Sequence, residues 1–151
     1  MRLDDDGTYL NAYASRVGLP SWDIGGEYGR QGPWGVNASY QQIKRYQFDD
    51  TRFIFDGLGG SRLTLPAGYP GLAGQPPTQA AAVDPYLHDF DVDTKRDILK
   101  VGGKASLGYG FDVSISYRQD DRDGSKLVGA VMGNSGGNPR AAIVPYPISD
   151  K

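Results

Sequence analysis

The sequence predicts an all-β fold in which about five antiparallel strands form part of a much larger transmembrane β-barrel with one long loop. Five segments alternate apolar and polar residues with a period of two. Their lengths approach the roughly 9 to 11 residues that a tilted strand needs to cross hydrocarbon. Short turns rich in Gly and Pro separate most of them. The arc is partial, because the smallest known barrels need about eight strands.

The five predicted strands are identified by this alternation. They span residues 8–18, 22–30, 34–46, 98–107 and 111–119. The first is the least clear, because both of its faces hold large apolar side chains. The third contains WGVNASYQQI, where apolar residues alternate with glycine or polar residues. Such a strand has one face suited to an apolar medium and one suited to a polar medium.

The alternation assigns the strand residues to two faces. The residues predicted to face lipid are Trp22, Ile24, Tyr28, Trp34, Val36, Ala38, Tyr40, Leu99, Val101, Ala105, Phe111, Val113, Ile115 and Tyr117. The residues predicted to face the lumen or an enclosed partner are Asp23, Glu27, Asn37, Ser39, Gln41, Lys100, Lys104, Asp112, Ser114 and Ser116. The solvated side of an ordinary antiparallel sheet has the same polar pattern, so a soluble β-sandwich stays open as an alternative.

The two tryptophans begin consecutive strands. Trp22 follows one turn and Trp34 follows the next, so the two rings are expected at opposite ends of the sheet. That placement is typical of the two aromatic girdles of a membrane barrel. Two tryptophans in a soluble core are about equally common in general, and the geometry favours the girdles only slightly.

The connection over residues 47–97 is far longer than the other turns and is rich in Gly, Pro and Ala. A loop of this length is expected to be functional or mobile. Outer-membrane barrels place their long loops outside the cell. Strand parity then places the turn at 18–21 outside as well, and the turns at 31–33 and 108–110 in the periplasm. Residues 120–151 are expected to be irregular.

Composition excludes several classes of function. The 151 residues include 16 basic and 18 acidic residues, with a net charge of −2 and no basic stripe for a nucleic-acid backbone. The absence of cysteine excludes disulfides, thiolate metal sites and covalent haem attachment within these residues. The N-terminal MRLDDDGTYL lacks the apolar core of a secretory signal, so an export signal is expected outside this chain.

Motifs for catalysis or metal binding are weak in this sequence. The spacing of Asp89, Asp91 and Asp93 imitates the start of a calcium loop, but Thr94 replaces the expected glycine. His88 is the sole histidine, so it has no second imidazole for a zinc set. The Gly-rich stretches lack the Gly-Lys-Ser/Thr ending of a phosphate loop. The sequence therefore predicts no catalytic, cofactor-binding or metal-binding residues and no enzyme.

Longer blocks of the sequence resemble one protein family. The most distinctive are the runs at 49–60 (DDTRFIFDGLGG) and 63–66 (LTLP), the turn at 122–124 (RDG) and the PYPI at 145–148. They resemble the N-terminal part of the MtrB/PioB family, whose members are outer-membrane β-barrels associated with decahaem c-type cytochromes. The resemblance spans nearly the whole chain except residues 71–84. Some members have a Cys-x-x-Cys near the mature N-terminus, which is absent from these residues.

The resemblance implies a porin-like sheath in the bacterial outer membrane. Such a barrel houses a periplasmic multihaem c-type cytochrome in its lumen and permits transmembrane, extracellular electron transfer. It also implies that haem belongs to the partner, that no cofactor is bound directly, and that an extracellular multihaem cytochrome is a further candidate partner. Two alternatives stay open: a general diffusion channel or transporter barrel of the outer membrane, and a soluble β-sandwich binding module.

Overall fold

A computed structural model describes residues 7–69, 80–132 and 140–151. They form eight strands: β1 (Thr8–Ser15), β2 (Trp22–Arg30), β3 (Trp34–Phe48), β4 (Arg52–Phe53), β5 (His88–Asp89), β6 (Val92–Gly108), β7 (Phe111–Met132) and β8 (Arg140–Asp150). Two short 3-10 helices span Ala80–Ala82 and Asp84–Tyr86. In the described ranges no helix has the length and apolar character that crossing a membrane requires.

Six strands form one sheet in the order β1-β2-β3-β6-β7-β8, and β4 and β5 form a separate antiparallel pair. The predicted all-β antiparallel fold is confirmed. In the described sheet β1 and β8 are edges, as expected for a partial barrel.

Most strand boundaries differ from the predicted ones. β2 agrees with the prediction, whereas β1 ends at Ser15, three residues earlier than predicted. The reason is a turn in which Arg16 and Gly18 have φ values of 56° and 89°, and the Leu19 N–H donates to the Arg16 carbonyl at 3.0 Å. β3 is two residues longer than predicted, and β6 begins six residues earlier.

The expectation of an irregular segment over 120–151 is corrected by the structure for 120–132 and 140–150, whereas 133–139 lie outside the described residues. β7 continues to Met132, and β8 occupies Arg140–Asp150. Residues 119–124 read QDDRDG, which has no apolar face to announce a strand. Gly124 has a φ of 144°, and a β-carbon there would collide with the backbone of Asp93. In β8, Pro145 and Pro147 are compatible with an edge strand, because an edge leaves one row of N–H groups without a ladder partner.

The described parts of the predicted loop over 47–97, residues 47–69 and 80–97, include β4, both 3-10 helices, β5 and the start of β6, so they are more ordered than expected. Residues 70–79 of the loop lie outside the described residues. Most of it belongs to a compact unit formed by residues 45–94 and 123–149. The core of this unit contains buried Phe53, Phe55, Val92 and Val144. Phe53 meets Phe90 edge to face, with ring centroids 6.2 Å apart.

Backbone hydrogen bonds close the family-like stretch of this unit. Asp56 and Thr64 exchange two bonds, of 2.9 and 3.1 Å, across the turn between them. This pairing places Leu63 and Leu65 against the core. The LTLP step is thus a packed element.

The other compact unit comprises residues 1–44, 95–122 and 150–151. Its strand register decides which residues share a face. In β1, β2 and β3, Leu10 lies opposite Tyr28, which in turn lies opposite Val36. Because alternate residues of a strand point the same way, the even-numbered residues of these three strands share one face.

A two-faced sheet as the candidate functional site

The apolar side chains of β1, β2, β3, β6 and β7 form one continuous face. The register aligns the even-numbered residues of the first three strands. A β-carbon at Gly103 would lie 3.8 Å from both Val36 Cγ1 and Ile115 Cγ2, so β6 and β7 extend the same face. Because alternate residues of a strand point the same way, all fourteen residues predicted to face lipid lie on this one surface. We call this surface the apolar face.

Much of the apolar face is uncovered in this sheet. Ile115 is 76% exposed, Phe111 is 70% exposed and Val36 is 50% exposed. Leu10, Ile24 and other large apolar side chains of these strands are exposed as well. A contiguous exposed apolar surface indicates a membrane or a protein partner that covers it.

Aromatic pairs lie at both ends of the apolar face. Trp22 contacts Tyr40 with ring centroids 5.2 Å apart, and Tyr28 contacts Trp34 at 5.3 Å. Trp22 and Tyr28 are six residues apart in β2, roughly 20 Å along a strand. The prediction that the two tryptophans lie at opposite ends of the sheet is therefore confirmed, and each has a tyrosine neighbour.

A charged group ends the apolar face beside the Trp22–Tyr40 pair. The Tyr40 hydroxyl donates to Asp97 Oδ1 at 2.8 Å, and Lys95 Nζ lies 3.0 Å from Asp97 Oδ2. Asp97 precedes Leu99 by two residues, so it belongs to the same face. The sequence did contain this signal, because Asp97 is the first charged residue in the register of Leu99 and Val101.

The opposite surface gathers the residues predicted to face the lumen or a partner, and we call it the polar face. Across β2 and β3, Asp23 lies opposite Gln41 and Glu27 lies opposite Asn37. Ser39 follows by alternation. A β-carbon at Gly102 would collide with the Asn37 side chain, so Gly102 shares this face.

Alternation places the other predicted polar residues on the same surface. They are Lys100 and Lys104 around Gly102, and Asp112, Ser114 and Ser116 between the apolar residues of β7. The structure thus brings all of the predicted polar-face residues together on one surface. Which medium each face meets remains a prediction.

Two tyrosines of the polar face were absent from the predicted set. Tyr13 lies over Gly25, where a β-carbon would be 2.6 Å from the Tyr13 hydroxyl oxygen. Tyr9 lies over Gly29 and Gly35, whose β-carbons would each be 3.0 Å from the Tyr9 hydroxyl oxygen. In the sequence, the indication of these tyrosine positions was the set of glycines Gly25, Gly29 and Gly35 on the polar face, because a glycine leaves room for a neighbouring ring.

Charges on the polar face are partly paired. Arg16 Nη2 lies 3.0 Å from Asp23 Oδ1. Glu27 and Lys104 line one shallow depression of about 540 Å³. The negative side chains of β2 and the positive ones of β6 are separated by β3, whose predicted polar-face residues are uncharged. The surface therefore presents both signs of charge without a dominant field.

A further ion cluster lies at the border of the predicted spanning segments 98–107 and 111–119, with Arg96 and Asp120 just beyond them and Arg118 near the end of the second. Arg96 donates to both carboxylate oxygens of Asp120 at 2.6 Å, and Arg118 donates to one of them at 2.9 Å. The hydrogen bonds from Arg96, with a smaller contribution from Arg118, lower the pKa of Asp120 to about 2. This bidentate pair links β6 to β7.

In the parts of the chain that the structure describes, no three His, Asp or Glu side chains form a set that could hold a metal ion. His88 instead lies 3.2 Å from Asp56 through Nε2. The calcium-like spacing of Asp89, Asp91 and Asp93 therefore acquires no structural support.

Comparison with known proteins agrees with the two-faced sheet. Residues 1–151 match the family described as "Putative outer membrane beta-barrel porin, MtrB/PioB". The chain is 25% identical over 132 residues to the outer membrane protein MtrB of Shewanella baltica (strain OS185), a match that covers 83% of this chain and 19% of the relative. The chain thus spans about a fifth of the length of that curated relative. The resemblance noted in the sequence is confirmed, and the chain belongs to the MtrB/PioB family of outer-membrane β-barrel porins.

Proposed function

We propose that this chain is a section of an outer-membrane barrel that sheathes a multihaem c-type cytochrome and so permits electron transfer across the membrane. The observation that supports it best is the division of the sheet into an apolar face, bounded by aromatic pairs at both ends, and a polar face. A membrane barrel requires that division, because lipid surrounds it and a polar medium fills it.

The apolar face is proposed to meet lipid. Trp22 and Tyr40 at one end, and Tyr28 and Trp34 at the other, suit the two membrane–water interfaces. Asp97 lies next to one of these pairs, at the level where a charge regains contact with water and lipid headgroups. The side chains between the pairs are apolar or glycine.

The polar face is proposed to meet the enclosed cytochrome. Transfer of a charged protein surface into hydrocarbon is strongly unfavourable, so a cytochrome can lie at membrane depth only behind a polar wall. This face has both acidic and basic side chains, so it complements a protein surface that also has charges of both signs. The haem belongs to the partner, because covalent attachment needs cysteines that these residues lack.

Strand lengths support a sheet that continues beyond the bilayer. β6 has 17 residues and β7 has 22, whereas a tilted strand crosses hydrocarbon with roughly 9 to 11. We place the connection 47–97 and the turn at 18–21 outside the cell, and the turns at 31–33 and 108–110 in the periplasm. The packed LTLP stretch is then a candidate brace for the barrel mouth or a contact for an extracellular cytochrome. Crosslinks from this stretch to periplasmic proteins alone would contradict that placement.

The test is haem-dependent co-purification with the full-length protein that contains this chain. The tagged protein is extracted from outer membranes of cells that attach haem to c-type cytochromes and of matched cells that do not. The proposal predicts that covalently bound haem and a cytochrome chain accompany the barrel in the first case and are absent in the second. Reconstituted with its cytochrome, the barrel should let an external reductant reduce an acceptor inside liposomes.

A barrel that never retains a cytochrome, but conducts small ions in planar bilayers, would instead support the diffusion-channel alternative. A folded, monomeric and water-soluble full-length protein would support the β-sandwich alternative. Either result would contradict the proposed sheath.

A further inference from the structure

We propose that Tyr9 and Lys104 form a carboxylate-binding subsite on the polar face, which holds an Asp or Glu side chain on the surface of the enclosed protein. The inference rests on the proposed function, because it takes the occupant to be part of a protein held against this face. It assigns a recognition role to a tyrosine and a lysine that come from strands on opposite sides of β3.

A row of glycines forms the floor of the subsite. Tyr9 lies opposite Gly29, which lies opposite Gly35, and both glycines are buried. The Tyr9 hydroxyl oxygen lies 3.0 Å from the point that a β-carbon of either glycine would occupy. The Tyr9 ring therefore crosses β2 and delivers its hydroxyl over β3.

Lys104 reaches the same floor from β6. Its Cε lies 3.4 Å, and its Cγ 3.9 Å, from the point that a β-carbon of Gly35 would occupy. The Tyr9 hydroxyl oxygen and the Lys104 Cε are thus both within 3.4 Å of one point in space. The phenol hydroxyl and the last methylene of the lysine stem, which carries the ammonium group, converge there above bare backbone.

The chemistry of the two groups selects a carboxylate. Lysine offers three N–H donors and a positive charge, and tyrosine offers an O–H donor. Neither side chain has a hydrogen bond or ion pair with another residue that the structure describes. Glu27 lines the same depression, but it forms no ion pair with Lys104 in the described part of the chain. The pair is therefore available to an incoming acceptor.

Two features favour an acidic side chain of a protein over a free anion. The depression of about 540 Å³ is open and much larger than one carboxylate, so a surface that brings its own side chain fills it better than a small ion does. Its lining also offers Asn37, Ser114 and Ser116 as neutral hydrogen-bonding neighbours, and Lys100 and Arg118 as further positive charges, to the surrounding protein surface. The positive charge of Lys104 complements an acidic residue at the centre of such a contact.

The experiment measures how tightly the full-length barrel in detergent holds its cytochrome across a series of NaCl concentrations, from the haem absorbance that the tagged barrel retains. Lys104→Gln keeps the stem on Gly35 and removes the charge, and it should weaken retention by about tenfold. Tyr9→Phe keeps the ring on the glycines and should weaken retention by about threefold. Lys104→Arg should restore most of the affinity, and the double variant should lose less than the product of the single losses because both groups bind one carboxylate.

Lys126→Gln is the matched control, because Lys126 is an exposed lysine of β7 that does not line the depression. It should change retention less than about twofold. Equal losses in Lys126→Gln and Lys104→Gln would overturn the subsite in favour of a general charge effect. Unchanged retention in Lys104→Gln and Tyr9→Phe, with a wild-type barrel that does hold its cytochrome, would overturn the subsite and leave the sheath intact.

Two further outcomes separate the source of the carboxylate and the underlying function. If Lys104→Gln removes anion selectivity from the cytochrome-free barrel but leaves cytochrome retention unchanged, the subsite binds free anions. That result would overturn its assignment to a protein side chain. A wild-type barrel that holds no cytochrome would overturn the sheath, and this inference with it.

Discussion

Ile115→Arg is the substitution that most clearly separates a lipid-facing surface from a water-facing one. Ile115 lies on the apolar face next to Gly103 and is 76% exposed in this sheet, so the substitution removes little packing. Any loss in the free energy of unfolding must therefore come from the medium that covers the face. Ser114→Arg is the matched control, because it adds the same charge one residue away on the polar face.

The expected cost follows from the depth of Ile115. It lies four residues after Phe111 at the short-turn end of β7, roughly 13 Å along the strand. With a strand tilt of about 40°, that is roughly 10 Å below the interface, close to the middle of an apolar band about 25 Å tall. Arginine near the midplane of a barrel costs about 2 to 4 kcal/mol, whereas an exposed substitution in water costs less than about 0.5 kcal/mol.

The assay is reversible unfolding of the full-length barrel in phospholipid vesicles, with denaturant titrations of the wild type and of both variants. Ile115→Arg should lower the free energy of unfolding by about 2 to 4 kcal/mol, and Ser114→Arg by less than about 1 kcal/mol. Equal effects of the two variants would refute the assignment of faces. A larger effect for Ser114→Arg would show that the faces are reversed.

Three other changes test separate parts of the structure. A β-carbon at Gly29 would lie 2.7 Å from Gly35 Cα, so Gly29→Ala should destabilise the barrel by about 1 to 3 kcal/mol in the same titration, while Gly129→Ala, with no atom within 4 Å, should change it by less than about 0.5 kcal/mol. Val92→Ala should cost about 2 kcal/mol because Val92 is fully buried, and Val113→Ala on the exposed face should cost less than about 1 kcal/mol. Because the pKa of Asp120 is lowered to about 2, its pairing contributes fully to the free energy of unfolding above the ordinary pKa of 3.8, and this contribution is lost as the pH falls through about 2. Asp120→Asn should therefore make the free energy of unfolding fall less steeply between about pH 4 and about pH 2. An unchanged fall in this range would contradict the pairing.

The two-faced part of the sheet was readable from the sequence because apolar and polar residues alternate along its strands. In β3 the alternation of Trp34, Val36, Ala38 and Tyr40 with small or polar residues fixed which side chains share a face, and the register confirmed it. The same principle explains what was missed. Residues 118–126 carry no apolar side chain on either face of the strand, so QDDRDG looked like a turn although it continues β7.

The polar face was predicted as a set of residues but not as an arrangement. Alternation cannot show that Tyr9 crosses Gly29 to reach β3, because that depends on the pairing of β1 with β2 and of β2 with β3. The convergence of Lys104 on the same glycine depends in addition on which strand lies beside β3. The connection between β3 and β6 is long, so this neighbour relation does not follow from local turn chemistry.

The most direct test of the central claim is a labelling scan of residues 111–117 in the full-length barrel in lipid vesicles. This chain has no cysteine, so each introduced cysteine is unique within it and can hold one spin label. We expect labels at Phe111, Val113, Ile115 and Tyr117 to collide with dissolved oxygen. Labels at positions 112, 114 and 116 should collide with a water-soluble nickel chelate, and should lose that access when the cytochrome is bound. Equal access of the chelate to both sets of positions would contradict the account.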